Sequence, residues 1–221
     1  MNPIHRILVG IVTFGLFAGM ATSLAFGAGQ SAAHTKPAAA AEEGPPEKTL
    51  GSRNAPIVME VFSDYSCPMC KSFYLGAVRR LLESYIPEGK VYLIHRDFPL
   101  RGVIGHEHSR EAANYANAAA CIGKFREVDS ALYERQEVWT RDGSVDATVA
   151  AVLTPREMKQ VRALVASGKM DSYIESDYNL GSSKGVRSTP TIYITAHGKT
   201  DVLPGNLSYA LLKRYIDEQL Q

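Results

Sequence analysis

Cys67 and Cys70 stand three positions apart in the run Ser66-Cys67-Pro68-Met69-Cys70. Two thiols at that spacing exchange disulfides, supply half of a metal site, or close a static bridge. Where a helix begins at such a pair, both sulfurs fall on one face, close enough to form a small disulfide ring. The first then lies where the free amide N–H groups of the helix start converge. Those donors and the helix dipole favour a thiolate, drawing the pKa below the free-thiol value of about 8.5. Cys67 is thus the expected nucleophile and leaving group. Cys70, one turn deeper, is the expected resolving thiol that attacks a mixed disulfide and frees the partner.

The elements that must position this pair can be read on either side of it. Pro56-Ile57-Val58-Met59-Glu60-Val61-Phe62 is a mostly apolar run of strand length, suited to burial on both faces. The polar turn Ser63-Asp64-Tyr65-Ser66 follows, and then Phe73, Leu75, Val78, Leu81, Leu82 and Tyr85 recur at helical spacing. Lys90 to Phe98 forms a second strand ended by Pro99, completing a βαβ unit with the cysteines at the start of its helix. A strand, a turn and a helix opened by the cysteine pair is a redox arrangement. For zinc, the nearest further ligands are His106 and His108, with neither a second cysteine pair nor a spaced His-x₃-His, so no metal site is assigned and no cofactor is implied. A thiol-based metal-binding or metal-delivery module anchored in the cell envelope is the alternative reading, and a static bridge a third.

Beyond Pro99 the pattern turns helical: Glu107 to Ile122, Lys124 to Gln136, and a helix opened by Thr154-Pro155-Arg156-Glu157. Thr154 and Glu157 can cap each other reciprocally, with Pro155 at the first helical position. Strand character returns at Thr191-Ile192-Tyr193-Ile194-Thr195, followed by the turn Ala196-His197-Gly198-Lys199 and Asp201-Val202-Leu203, a hairpin. A last amphipathic helix, about Ser208 to Leu220, turns Leu211, Leu212, Tyr215, Ile216 and Leu220 to one side. The class is α/β, with a helical insertion at about 102–184.

Compartment decides what the thiols can do. His5 and Arg6 precede an uncharged stretch from Ile7 to Ala28, and Ser23 and Ala25 suit cleavage after Ala25. The stretch is also long enough to cross a bilayer, so residues 1–28 read as a signal peptide or an N-terminal membrane anchor. Residues 29–49 are rich in Ala and Pro and read as a disordered linker, leaving 50–221 as the folded domain. Either reading of the N-terminus puts that domain in the periplasm or extracytoplasmic envelope, where thiol pairs can be oxidised. A formal net charge of +1 leaves no field to hold nucleic acid. Cys121, in the small-residue run Asn117-Ala118-Ala119-Ala120-Cys121, reads as a buried small hydrophobe or a regulatory thiol. Trp139 and Tyr65 suit a peptide groove or the core equally.

The segment Val61 to Cys70 resembles the active-site strand and turn of the DsbA, DsbC and DsbG thiol-disulfide interchange proteins. Gly185-Val186-Arg187-Ser188-Thr189-Pro190-Thr191 is similar to that family's second signature, whose proline is cis and packs against the cysteines. The resemblance covers about residues 50 to 218. It implies a thioredoxin-like fold with an inserted helical domain, and a protein thiol-disulfide oxidoreductase acting on exported proteins with cysteines, reset by a membrane redox partner. The implied site is Cys67 and Cys70, supported by Pro68, Met69, Thr189 and Pro190, with the Thr189 backbone offered to an extended substrate chain. Val61 occupies the place where many relatives carry a buried acid, and Glu60 falls on the opposite strand face. Valine there and threonine before the proline resemble DsbC and DsbG. Met69 stands where DsbA has a histidine, which implies a less oxidising disulfide. Oxidase and isomerase or reductase directions both remain open at this level.

Overall fold

Apolar side chains on both faces of Ile57–Ser63 require cover on both sides, and this strand becomes the centre of the sheet. The computed structural model describes residues 46–205 and 207–221. Its strands are β1 (Thr49–Leu50), β2 (Ile57–Ser63), β3 (Val91–Asp97), β4 (Thr191–Ala196) and β5 (Lys199–Pro204), in the order β1-β3-β2-β4-β5. β2 runs parallel to β3, with Ile57 opposite Val91, and antiparallel to β4, with Val61 opposite Ile192. The expected signal or anchor at 1–28, and the linker as far as residue 45, lie outside the described residues.

Lys48 and Thr49 belong to the fold and not to the linker. Thr49 pairs with Ile94, and Lys48 is buried with its ammonium on the carboxylates of Asp97 and, at 2.5 Å, Asp177. A two-residue strand and one buried cation leave no periodic trace in a polar segment, which is why composition places them outside.

The helix after β2 is continuous through α1 (Pro68–Phe73), a π turn (Tyr74–Val78) and α2 (Arg79–Glu83). Its buried residues come in pairs four apart: Phe73 and Tyr74, Ala77 and Val78, Leu81 and Leu82. A spacing of four drifts around an α-helix of 3.6 residues per turn, and the wider π turn absorbs the drift. Leu75, expected on the inner face, is only half-buried, and Tyr74 and Ala77 take its place.

Between β3 and β4 lie six helices, α3 (Ser109–Cys121), α4 (Phe125–Glu134), α5 (Gln136–Asp142), α6 (Val145–Ala150), α7 (Pro155–Ala166) and α8 (Met170–Ser183). The capping box at Thr154 is formed: the Glu157 amide donates to Thr154 Oγ1 at 3.3 Å, and Glu157 Oε2 accepts from the Thr154 amide at 2.8 Å. α3 buries Ala112, Ala116 and Ala119, and its short side chains let α4, α7 and α8 approach closely. Gly181 of α8 does the same at the sheet, since a Cβ there would lie 2.7 Å from the Phe98 ring. His197 and Gly198 both have positive φ, the two-residue turn that matches hairpin twist between β4 and β5. α9 (Tyr209–Gln219), capped by Ser208, buries Leu212 and Ile216.

Candidate active site

The turn after β2 delivers both cysteines to the start of α1. Cys67 is its N-cap residue, with extended backbone (φ −73°, ψ 121°), and Pro68 takes the first helical position, where a missing N–H costs nothing. Asp64 shapes this turn. Its carboxylate accepts from the Ser66 amide at 2.7 Å, from the Leu100 amide at 2.7 Å and from Ser109 Oγ, and meets His106 Nδ1 at 2.8 Å. On the other side, Gln136 at the start of α5 donates to the carbonyls of Tyr65 (2.6 Å) and Cys67 (2.9 Å). The turn is thus held by its own Asp64, by the β3–α3 loop and by the helical insertion. Asp64 and Gln136 carry no motif. Asp64 offers only the weak signal of an Asp in a polar turn four residues before a helix start, and Gln136 none, since its partners lie about seventy residues away in the chain.

The two sulfurs differ in environment. Cys67 is 6% exposed and Cys70 is 1% exposed. The Cys67 pKa is lowered to about 5, first by the hydrogen bond from the Cys70 thiol and, against the opposing effect of burial, by Thr189 and the amides of Cys70 and Met69. Burial pushes the Cys70 thiol well above its ordinary value, and donating to Cys67 holds its proton further. The Asp64 amide points at Cys70 Sγ from 3.4 Å.

The second signature meets the first. The Thr189-Pro190 peptide bond is cis, and the Thr189 carbonyl accepts from Cys67 Sγ at 3.4 Å. Gly205 allows this approach from β5's end, because a Cβ there would lie 1.8 Å from the Pro190 carbonyl oxygen. Met69 is 47% exposed beside the pair, and Pro68 lines an open depression with Ser66, His106 and Gln136.

Other candidates sort differently. His106 reaches the active-site turn through Asp64, whereas His108 lies beside Glu111, away from it. Trp139 and Tyr65 are core residues: the indole N–H donates to the Leu132 carbonyl and Tyr65 Oη to Asp129. Cys121 is half-buried against Met170. Glu60 pairs with Lys184 and Arg96, which against the opposing effect of burial hold its carboxyl below the usual range. Among the described residues no group of three or more His, Cys, Asp and Glu is placed to hold a metal ion.

Comparison with known proteins agrees with this geometry. A probable disulfide bond formation protein D from Bacillus cereus is 25% identical over 185 residues, covering 79% of each chain. The crystal structure of oxidised BdbD from Bacillus subtilis superposes with a TM-score of 0.64 at 22% identity, over 80% of this chain and 97% of that one. That of alpha-DsbA1 from Wolbachia pipientis gives 0.66 at 23% identity, over 79% and 91%. The family model described as thioredoxin matches residues 43–218. With that match laid over a cysteine pair at a helix start and a cis-proline loop against it, the chain belongs to the thioredoxin family and is a thiol-disulfide oxidoreductase that shares the fold of the DsbA-type structures.

Proposed function

We propose that this protein donates disulfides to exported proteins through Cys67, with Cys70 as resolving thiol, in the periplasm or extracytoplasmic envelope. What carries this reading is the placement of the two thiols, Cys67 at the helix N-cap against Thr189 and Cys70 fully buried one turn on, which draws the first pKa down to about 5 and pushes the second up. A stabilised Cys67 thiolate favours the reduced pair, so the oxidised pair readily passes its disulfide on. Thr189 and Pro190 support a substrate chain alongside Cys67, as their contact with its sulfur suggests. A membrane redox partner then reoxidises the pair, and residues 1–28 direct export or hold the domain at the membrane. Among the described residues no helix is long and apolar enough to cross a membrane.

Replacing Cys70 by Ser is the test. The variant retains the nucleophile and loses the escape route, so exported proteins accumulate on Cys67 as mixed disulfides visible on non-reducing gels. Absence of such species from the producing cell, with the variant folded, rejects the reading. Fractionation with an exported marker tests the compartment.

A further inference from the structure

Against Cys70 lies a cavity of about 20 Å³ whose walls include Val61, Ser63, Cys70, His95, Asp129 and Tyr133, and not Cys67. That is room for one water molecule. The β2 strand offers it no acid, since Val61 and Ser63 are its contribution. The acid comes from the helical insertion: Asp129 of α4 is 3% exposed, and its Oδ1 accepts from Tyr65 Oη at 2.9 Å. His95 of β3 brings Nδ1 to 3.7 Å from the same oxygen. Its Nε2 is buried without a hydrogen-bond partner, 3.4 Å from Asp97 Oδ1. Tyr74, Tyr133 and Cys70 face Asp129 from the other packed elements, and the cluster's ammonium, that of Lys48, pairs with Asp97. A buried carboxyl at the wall of a water-sized cavity shared with a thiol that must lose a proton is placed for proton transfer.

We propose that Asp129, backed by His95, is the proton acceptor of Cys70, reached across this cavity through one water molecule. The inference rests on the oxidoreductase reading above. With a partner joined to Cys67 as a mixed disulfide, the Cys70 thiol gives its proton to the Asp129 carboxylate, and the Cys70 sulfur attacks Cys67 Sγ. The Cys67–Cys70 bond forms as the Cys67–partner bond breaks, and the partner sulfur leaves with the electron pair as a thiolate. In disulfide donation the same step runs backwards, and Asp129 returns the proton to the departing Cys70 sulfur. Burial raises the Asp129 pKa to about 6, so the group can do both near neutral pH.

The test uses the mixed disulfide of Cys67 with glutathione, formed from oxidised glutathione and the reduced protein, and follows glutathione release by rapid quench between pH 4.5 and 9. The wild-type rate should fall about tenfold per pH unit below 6 as Asp129 takes up a proton. Asp129→Asn should slow release at pH 7 by about a hundredfold and remove that inflection, and Asp129→Glu should restore an inflection. Tyr65→Phe deletes the hydrogen bond that favours ionised Asp129, so its inflection should move to higher pH, which a purely structural carboxyl would not produce. A folded Asp129→Asn with the wild-type profile overturns the proposal. Should that variant not fold, an unmoved inflection in Tyr65→Phe overturns it instead. Wild-type protein that exchanges no disulfide at all sinks the oxidoreductase reading and this inference with it, whereas normal exchange with an unchanged variant profile sinks this inference alone.

Discussion

On the proposed reading, the extent to which one sulfur is ionised sets the direction of the chemistry. A DsbA-like partition follows from how far the Cys67 thiolate is stabilised: thioredoxin, with a thiol pKa of about 7, has a potential near −270 mV, and each further unit is worth about 30 mV. With Cys67 at about 5, the expected potential is roughly −210 mV, read from equilibrium with glutathione. A value at or below thioredoxin's would refute disulfide donation. The same sulfur makes stability depend on pH. Its folded pKa is depressed, so the reduced fold gains stability as pH rises from about 5 towards the unfolded value, and loses it as pH falls through 5. Urea unfolding should show the reduced form gaining about 3 kcal/mol on the oxidised form between pH 4 and pH 7. Asp129 has the opposite sign. Its pKa is raised to about 6, so its charge costs stability as pH rises through that value. Asp129→Asn should therefore melt higher than wild type at pH 8 and show no such gain at pH 4, the mark of a carboxyl kept for chemistry.

At the scale of elements, close approach rather than motif decides what works. Gly205 lets the end of β5 lie against the cis-proline loop, and an added Cβ would displace the Pro190 carbonyl and, with it, the Thr189 contact to Cys67. Gly205→Ala is expected to lose about 1–3 kcal/mol and to slow disulfide exchange at least tenfold, as an insulin-reduction assay can read. Thr154→Ala, at the start of α7, breaks a capping box and should cost about 1 kcal/mol. Its exchange rate should stay at the wild-type value, because that helix start touches none of the groups gripping the cysteine turn. An equal loss of activity in both variants would mean that global stability, not the loop contact, governs the rate.

Across the whole domain, a buried ionic cluster ties the segment before β1 to β3 and α8. Lys48 meets Asp97 and Asp177, Arg96 bridges Asp177 to Glu60, and Asn117 of α3 donates to Asp97 at 2.6 Å. Its lysine and the attraction it exerts hold the Asp97 carboxyl far below the usual carboxylate range, against the effect of burial. Lys48→Met would leave that carboxylate buried without its cation, at a cost of about 3–5 kcal/mol in denaturant unfolding.

The sequence by itself determined the candidate residues for the chemistry and most of the frame. The cysteine pair, the strand that feeds it, the flanking β3, the hairpin and the capped helix at Thr154 are local patterns, each written in the spacing of neighbouring residues, and the Gly-to-Pro signature marked Thr189 and Pro190. Tertiary structure alone decided the rest, because the deciding contacts join residues that carry no pattern of their own. Asp64 and Gln136 hold the active-site turn, Lys48 anchors the start of the fold, and Asp129 lines one cavity with Cys70, through placements that bring together residues far apart in the chain. The π turn belongs to the same class: a spacing of four reads as an ordinary helix until packing shows which side each residue must face. Local periodicity records which face is apolar, whereas a buried charge is tolerated only where distant groups meet it, and no window of sequence contains both partners.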